Sequence, residues 1–463
     1  MKAKEETLLE LEKKPVRRLL FEYSLPAVVG MVAMSLYNAV DSVYVGAWCS
    51  AACITAMALI FPLMNLTAAI GTLVGLGGAA TASITLGLQE YDKARRVLGH
   101  CVLLGAGLSI LCCWIPLFWL DEILIAFGAD AETLEPSRDF MLVMALGYPI
   151  FCTFLNLNHL VRASGYPHKA MVSLLISMAV NVGVAPIYMK VLGWGMAGAA
   201  AATITAQTVG LVWVLIHFRN RQHVLHFCRG DMWKLNGSIV RRILTVGLPP
   251  CLLNLVACGV VVFFNMLFMQ HIGPAGVGAY GVVNRIMFMF VMVVLGITQG
   301  MQPIAGYNLG LGEYGRVRRV LYLAMMVASC VTLSGFILVQ LFPHACVYLF
   351  AMNDADPNAA RIIDAAERGI RLISIAFPLV GSQIVIGHFF QAIGRPAMSI
   401  FLNLTRQLII LVPLLCVLPN LWGADGIWLS QTCADALSAA VGFIVLYLFL
   451  RHNHLSKSVF SSK

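Results

Sequence analysis

Leu86-Gly-Leu-Gln-Glu-Tyr-Asp-Lys-Ala-Arg-Arg-Val-Leu98 returns as Leu309-Gly-Leu-Gly-Glu-Tyr-Gly-Arg-Val-Arg-Arg-Val-Leu321, with nine of thirteen positions identical. At the same offset of 223 residues, Leu25-Pro26 falls on Leu248-Pro249. Further along, Ala163, Gly165 and Pro167 match Ala392, Gly394 and Pro396 at an offset of 229, and Gly195 and Gly198 match Gly423 and Gly426 at 228. Four landmarks in one order, drifting by only six residues, mark an internal duplication.

The sequence between the landmarks decides the class. Of 463 residues, 60% are hydrophobic and only 11% charged, and the mean hydropathy is +0.84. That leaves too little polar surface to cover a water-soluble globule. In hydrocarbon every backbone N–H and C=O must be satisfied within the protein, so apolar runs of about 20 residues read as transmembrane helices. Twelve such spans are predicted: 19–45, 54–82, 97–119, 138–161, 170–190, 197–218, 243–269, 276–306, 320–343, 369–391, 397–418 and 426–450. Six spans separate equivalent positions, and an even number returns the chain to the same side. The halves are therefore parallel repeats about an axis normal to the membrane, with a cleft between them. The expectation is an all-α integral membrane protein of two six-helix bundles, 1–218 and 243–463, joined by a basic cytoplasmic linker at 219–242.

Orientation follows from the 31 basic residues. With the N-terminus cytoplasmic, 24 of them fall on that side: in the N-tail, in alternate loops around Lys93, Arg162, Arg219 to Arg242, Arg316 and Arg395, and in the C-tail. Only Arg138, Lys190, Arg361, Arg368 and Arg371 face the other way. Both termini are thus expected in the cytoplasm. The net charge of +9 is accounted for by topology and anionic lipid, and no basic-aromatic platform points to nucleic acid. Met1 to Arg18 is a charged lead into a long span rather than a signal peptide, so the first helix is read as its own targeting signal. Most of the 13 cysteines lie in apolar spans and read as packing residues. His223, His226 and Cys228 share a loop without a second ligand cluster, so no metal site is expected.

Charge inside a span is expensive, roughly 2.5–3.5 kcal/mol at mid-helix, and marks functional candidates. Asp41, Asp435, Arg285 and Arg406 are those candidates. Tyr37 and Asn38 precede Asp41 by four and three residues and share its helix face. Asp41 on span 1, Asn181 on span 5 and Thr203 on span 6 lie at similar depth. Such a carboxylate either carries a proton, ligates sodium together with Asn181 and Thr203, or makes a structural hydrogen bond. Asp435 and Arg406 also match in depth, with Arg285 a competing partner, and an ion pair there serves structure as readily as function. Asn156, Gln207, Asn265, Gln299, Gln302 and Gln383 are isolated polar residues that either bond between helices or contact substrate.

These residues resemble the multidrug and toxic compound extrusion (MATE) family, particularly its bacterial MepA-like branch. The resemblance covers nearly the whole chain. It rests on Leu25-Pro26, Leu36-Tyr-Asn-Ala-Val-Asp-Ser-Val-Tyr-Val-Gly46, the doubled Leu-Gly-x-x-Glu-Tyr loops, Arg162-Ala-Ser-Gly-Tyr-Pro167, Arg406-Gln407 followed by Pro413, and Ala434-Asp435. It implies a monomer in the bacterial cytoplasmic (inner) membrane that exports drugs or amphipathic organic cations in exchange for protons or sodium. Asp41 would be the coupling residue, and no cofactor would be needed. Members often carry Asn-x-x-x-Asp-Pro on helix 5; here Ala185 stands at the second carboxylate's place in Asn181-Val-Gly-Val-Ala-Pro186, which favours proton coupling through Asp41. The alternative is a flippase for lipid-linked oligosaccharides, although two arginines within spans offer little to hold a pyrophosphate. His-Glu-x-x-His, Gly-x-Ser-x-Gly and Walker motifs are absent, which speaks against an enzyme or an ATP-driven pump.

The repeat has diverged where chemistry is expected. Asp41 falls on Phe264, Asn181 on Ile410, Arg406 on Ser177 and Asp435 on Gln207. A symmetric scaffold with an asymmetric mechanism follows.

Overall fold

The computed structural model describes residues 10–49, 51–127, 129–227, 236–351 and 359–451. The tail residues Lys2, Lys4, Lys457 and Lys463, the linker residues Cys228, Arg229 and Lys234, and the side chain of Asn38 lie outside the described residues. No strand occurs among the described residues.

The N-terminal half consists of α1 (Val16–Trp48), α2 (Ala51–Gly87), α3 (Tyr91–Trp114), α4 (Leu134–Ala163), α5 (Pro167–Pro186) and α6 (Gly195–Arg219). The C-terminal half consists of α7 (Gly237–His271), α8 (Pro274–Leu311), α9 (Tyr314–Leu341), α10 (Phe377–Ala392), α11 (Pro396–Leu404) and α12 (Val412–Arg451). Ten helical stretches are long and apolar enough to cross a bilayer, and the helix before α10 forms a further span with it across a 62° bend. One of the ten, Pro396–Arg451, contains 56 residues; at 1.5 Å per residue a straight helix of that length would measure about 84 Å, far beyond a hydrocarbon core of about 30 Å. It breaks at Gly423 (φ 58, ψ −135) and folds back, so that Arg406 meets Asp435. With the bent pair counted as one span and this fold-back as two, the described residues supply twelve apolar stretches by length and composition.

The duplicated landmarks have duplicated backbone geometry. Gly165 (φ 100) and Gly394 (φ 71) turn the chain before Pro167 and Pro396, each of which starts a helix at a position whose N–H has no helical partner. Gly195 (φ 53) and Gly423 (φ 58) make the matching turn one helix later. Gly312, the left-handed cap of α8, has as its counterpart Gln89 (φ 62), which is the one non-glycine residue with positive φ among the described residues.

Three buried clusters show how the halves meet. One unites both halves: it contains Leu19 and Tyr23 of α1, Ile84 of α2, Ile243 of α7, Met301 of α8, Phe390 of α10 and Leu446 of α12. The second belongs to the C-terminal half alone and includes Phe264, Tyr280 and Trp428. The third belongs to the N-terminal half alone and includes Val45, Phe140, Met189 and Ala199. The molecule has a shared base, at the end bearing the duplicated loops, and two arms with separate cores.

The base is closed by α1 against α8 and α2 against α7, the same pair of contacts exchanged between repeats. Glycine makes the approach possible. A Cβ on Gly77 would overlap the Ile243 carbonyl oxygen, one on Gly247 the Leu73 carbonyl oxygen, and one on Gly300 the Ser24 side chain. Gly77 and Gly300 are equivalent in the 223-residue register, as are Ser24 and Gly247. Gly87 and Gly310 are also equivalent, and they abut each other, so the pseudo-twofold axis passes between them.

Gly77→Ala should therefore lower the thermal unfolding midpoint in detergent, at a cost of about 1–3 kcal/mol for overpacking against backbone. Gly107→Ala, where an added methyl meets nothing within 4 Å, should leave it unchanged or raise it slightly. Tryptophan fluorescence on heating is the measurement, and equal behaviour of the two variants would contradict the packing argument.

Candidate functional site

The N-terminal arm holds a polar cluster. Tyr37 and Asp41 lie one turn apart on α1, and the Tyr37 hydroxyl donates to Thr203 Oγ1 of α6 at 2.7 Å. The carboxyl of Asp41 is within interaction range of Tyr37, Asn181 and Thr203. Farther from the base, Tyr44 donates to the Val182 carbonyl of α5 at 3.4 Å, a second contact of α1 with this arm. Asp41 Oδ1 and both amide atoms of Asn181 are buried without a hydrogen-bond partner among the described residues. No described lysine or arginine forms an ion pair with Asp41. Buried polar atoms with unused bonding capacity next to an uncompensated carboxyl form a site able to accept a proton or a cation.

The C-terminal arm is built differently. Arg406 sits in a π-helical turn, Thr405–Leu411, between α11 and α12. Such turns shift side chains out of regular helical register and occur often at functional positions. Arg406 Nε donates to Asp435 Oδ1 at 2.8 Å, and Gln431, one turn earlier on α12, donates to the same carboxylate at 3.1 and 3.2 Å. Gln383 of α10 donates to Ser438 Oγ at 2.7 Å. Arg285 is exposed and stands apart from this pair, so it does not compete for Asp435. Where the N-terminal arm has Asp41, this arm has Phe264, stacked on Tyr280 at 4.9 Å, beside the Phe268–Trp428 contact at 4.5 Å.

The remaining polar candidates separate by position. Asn156 is fully buried within the N-terminal half, facing Gly75 of α2 and Gly105 of α3 rather than the cluster at Asp41. Gln207 on α6 is buried, with Oε1 lacking a partner among the described residues. No group of three or more potential metal ligands occurs among the described residues, and no disulfide joins any two of the twelve described cysteines.

One residue placed by its position in a loop belongs elsewhere. Arg162, counted among loop cations, is the last basic residue of α4 and is 4% exposed. Its guanidinium crosses the base to Gln299 of α8 and also donates to Asn158 Oδ1 at 3.1 Å. Arg162 near the end of one span and Gln299 within another are both visible in the sequence, but spacing along the chain does not show that they face one another.

A shared base, two arms that diverge from it and one uncompensated carboxyl in one arm define a two-lobed, multi-pass membrane transporter. The chain matches the MatE family model twice, over residues 26–187 and 250–417, one copy for each half, and it belongs to this family, the MATE transporters. The multidrug export protein MepA of Staphylococcus aureus (strain MRSA252) is 25% identical over 450 residues, 96% of each chain. MepA of Staphylococcus haemolyticus (strain JCSC1435) is 24% identical over 448 residues, again 96% of each. Among solved structures, a MOP superfamily transporter from Pyrococcus furiosus superimposes with a TM-score of 0.90 at 23% identity, covering 97% of this chain and 98% of that one. A multidrug resistance MATE transporter described as outward-facing gives 0.89 at 22% identity with the same coverage.

Removing one member of the C-terminal pair should be costly because it leaves a buried charge alone. Asp435→Asn is expected to destabilise by roughly 2–4 kcal/mol, toward the lower part of the range for buried pairs because the Arg406 side chain keeps 21% of its surface exposed. Arg406→Met combined with Asp435→Leu should recover most of the loss. Thermal unfolding in detergent measures both, and a double variant no better than the single one would refute a pairwise origin.

Proposed function

We propose that this chain is a secondary active antiporter of the bacterial cytoplasmic membrane that exports drugs or amphipathic organic cations in exchange for protons, with Asp41 as the coupling carboxylate. The observation that carries this reading is the uncompensated Asp41 carboxyl, set among Tyr37, Asn181 and Thr203 in the N-terminal arm. Multidrug export by the MepA relatives, matched over 96% of this chain, supports the substrate class.

The charge distribution supports placing the basic base, with both termini, on the cytoplasmic side. The arms then open to the exterior, and a proton arriving from that side reaches Asp41 first. Protonation converts an acceptor-only carboxylate into a group with one donor, which bonds the unused Asn181 Oδ1 in place of a cation. Loss of the charge makes closure of the arm over Asp41 less costly, and release of the proton on the other side restores the starting state. Sodium would draw on the same oxygens, but the residue at the second-carboxylate position, Ala185, offers none. The transporter acts as a monomer, because each chain carries both arms.

A lipid-linked oligosaccharide flippase has weaker support, since the Arg406 guanidinium is engaged by Asp435 and is not open to hold a pyrophosphate.

The test is transport of a fluorescent organic cation in liposomes under either a pH gradient or a sodium gradient. The pH gradient alone should drive wild-type transport, and Asp41→Asn should reduce it by about tenfold or more as linkage between the two sites is lost. Undiminished gradient-driven transport by the variant would remove Asp41 from the mechanism, and transport driven by sodium without a pH gradient would assign the other ion.

A further inference from the structure

Arg162 is a cation buried in the seam between the halves, and its environment is poor in counter-charge. No described carboxylate lies within salt-bridge distance of it. The two terminal nitrogens use neutral oxygens, Gln299 Oε1 across the seam and Asn158 Oδ1 within α4, while Nε is buried without a partner among the described residues. Those oxygens are themselves held in place. The Asn158 amide donates to the Ala170 carbonyl at 2.8 Å and to Ser173 Oγ at 2.7 Å, which turns its oxygen toward Arg162. The Gln299 amide donates to Met31 Sδ of α1 at 3.2 Å, and Gln302, one turn on, donates to the Leu76 carbonyl of α2 at 3.3 Å. His159, Ser83 and Pro303 complete a cavity of about 10 Å³ around the guanidinium, room for one water at most. His159 is the one other titratable side chain lining that cavity.

This arrangement has two opposing consequences. The bond to Gln299 is a charge-assisted link that ties the halves together in the closed base. The dehydrated guanidinium, with no carboxylate to offset it, favours separation, because parting the halves returns it to water. We propose that Arg162 and Gln299 form the gate of the base: a latch whose dehydration cost keeps the closed state from becoming too stable to reopen. Arg162 acts on transport by setting the balance between the two states, and not by touching the transported cation. The proposal rests on the alternating-access reading above, but it is read out at the base without any transported ligand.

The two partners make opposite predictions. Gln299→Leu removes the latch and leaves the cation unpaired, so the base should open more often. Arg162→Met removes the dehydrated charge while keeping apolar volume, so the base should stay shut. Hydrogen–deuterium exchange of the full chain in lipid nanodiscs, followed in peptides from the base ends of α2 and α8, reports the opening. Exchange there should rise on the order of tenfold in Gln299→Leu, the factor expected for one charge-assisted bond, and fall below wild type in Arg162→Met. Arg162→Gln, which keeps hydrogen bonding without the charge, should also exchange more slowly than wild type and serves if the methionine variant does not fold. Bound fluorescent cation, measured in the same nanodiscs, should be retained in all three. Exchange shifted in one direction by both partners, or unchanged in both, overturns the gate; failure of Asp41→Asn to alter transport would leave this result untouched.

Discussion

Backbone meets backbone at the base of the molecule, where Gly77 faces Ile243 and Gly247 while Gly87 faces Gly310. Helices in lipid gain little from burying apolar side chains against one another, since the surrounding tails are equally apolar. Close van der Waals approach supplies the attraction instead, and small residues permit it. In the duplication these sites recur in register, so the base is the place where the two copies must fit each other as well as themselves. The two arms, each with its own core, rise from that fit.

The arms are free to differ because they do not share a core. In the N-terminal arm the position equivalent to Phe264 is Asp41, and a polar cluster takes the space that an aromatic stack fills in the other. In the C-terminal arm the carboxylate at 435 is neutralised by Arg406 and further bound by Gln431. One carboxyl lacks a cationic partner among the described residues and the other is held in an ion pair.

The scaffold was largely legible in the sequence because hydropathy and the repeat register are properties of the chain itself. The twelve spans, the landmark glycines and the likeness to the MATE family all follow from it, and even Gln89, left-handed without being glycine, can be found as the counterpart of Gly312. The span now formed by α10 shows the limit. Apolar residues from 369 to 391 read as one helix on hydropathy alone, but the chain bends by 62° before Phe377, where Pro378 occupies the first turn of α10 and has no N–H to continue the preceding helix. Arg162 shows it more plainly. A basic residue near a helix end reads as a loop cation under any charge rule, and only the approach of α8 from the other half buries it. Depth along one helix is visible in a sequence; which helix from the other half arrives at that depth is not.

Helix α1 connects the two levels. Its outer part is held to the N-terminal arm through Tyr37 and Tyr44, while its inner part packs on α8 of the other half, with Ser24 donating to the Ile297 carbonyl at 3.5 Å. Gln299 reaches both Met31 on this helix and Arg162 on α4. Asp41 lies on the outer part of α1 between Tyr37 and Tyr44, and the inner part of the same helix contacts the residue that bridges the base. The polar cluster and the seam thus share one helix, which has bonding partners in both halves on either side of Pro26.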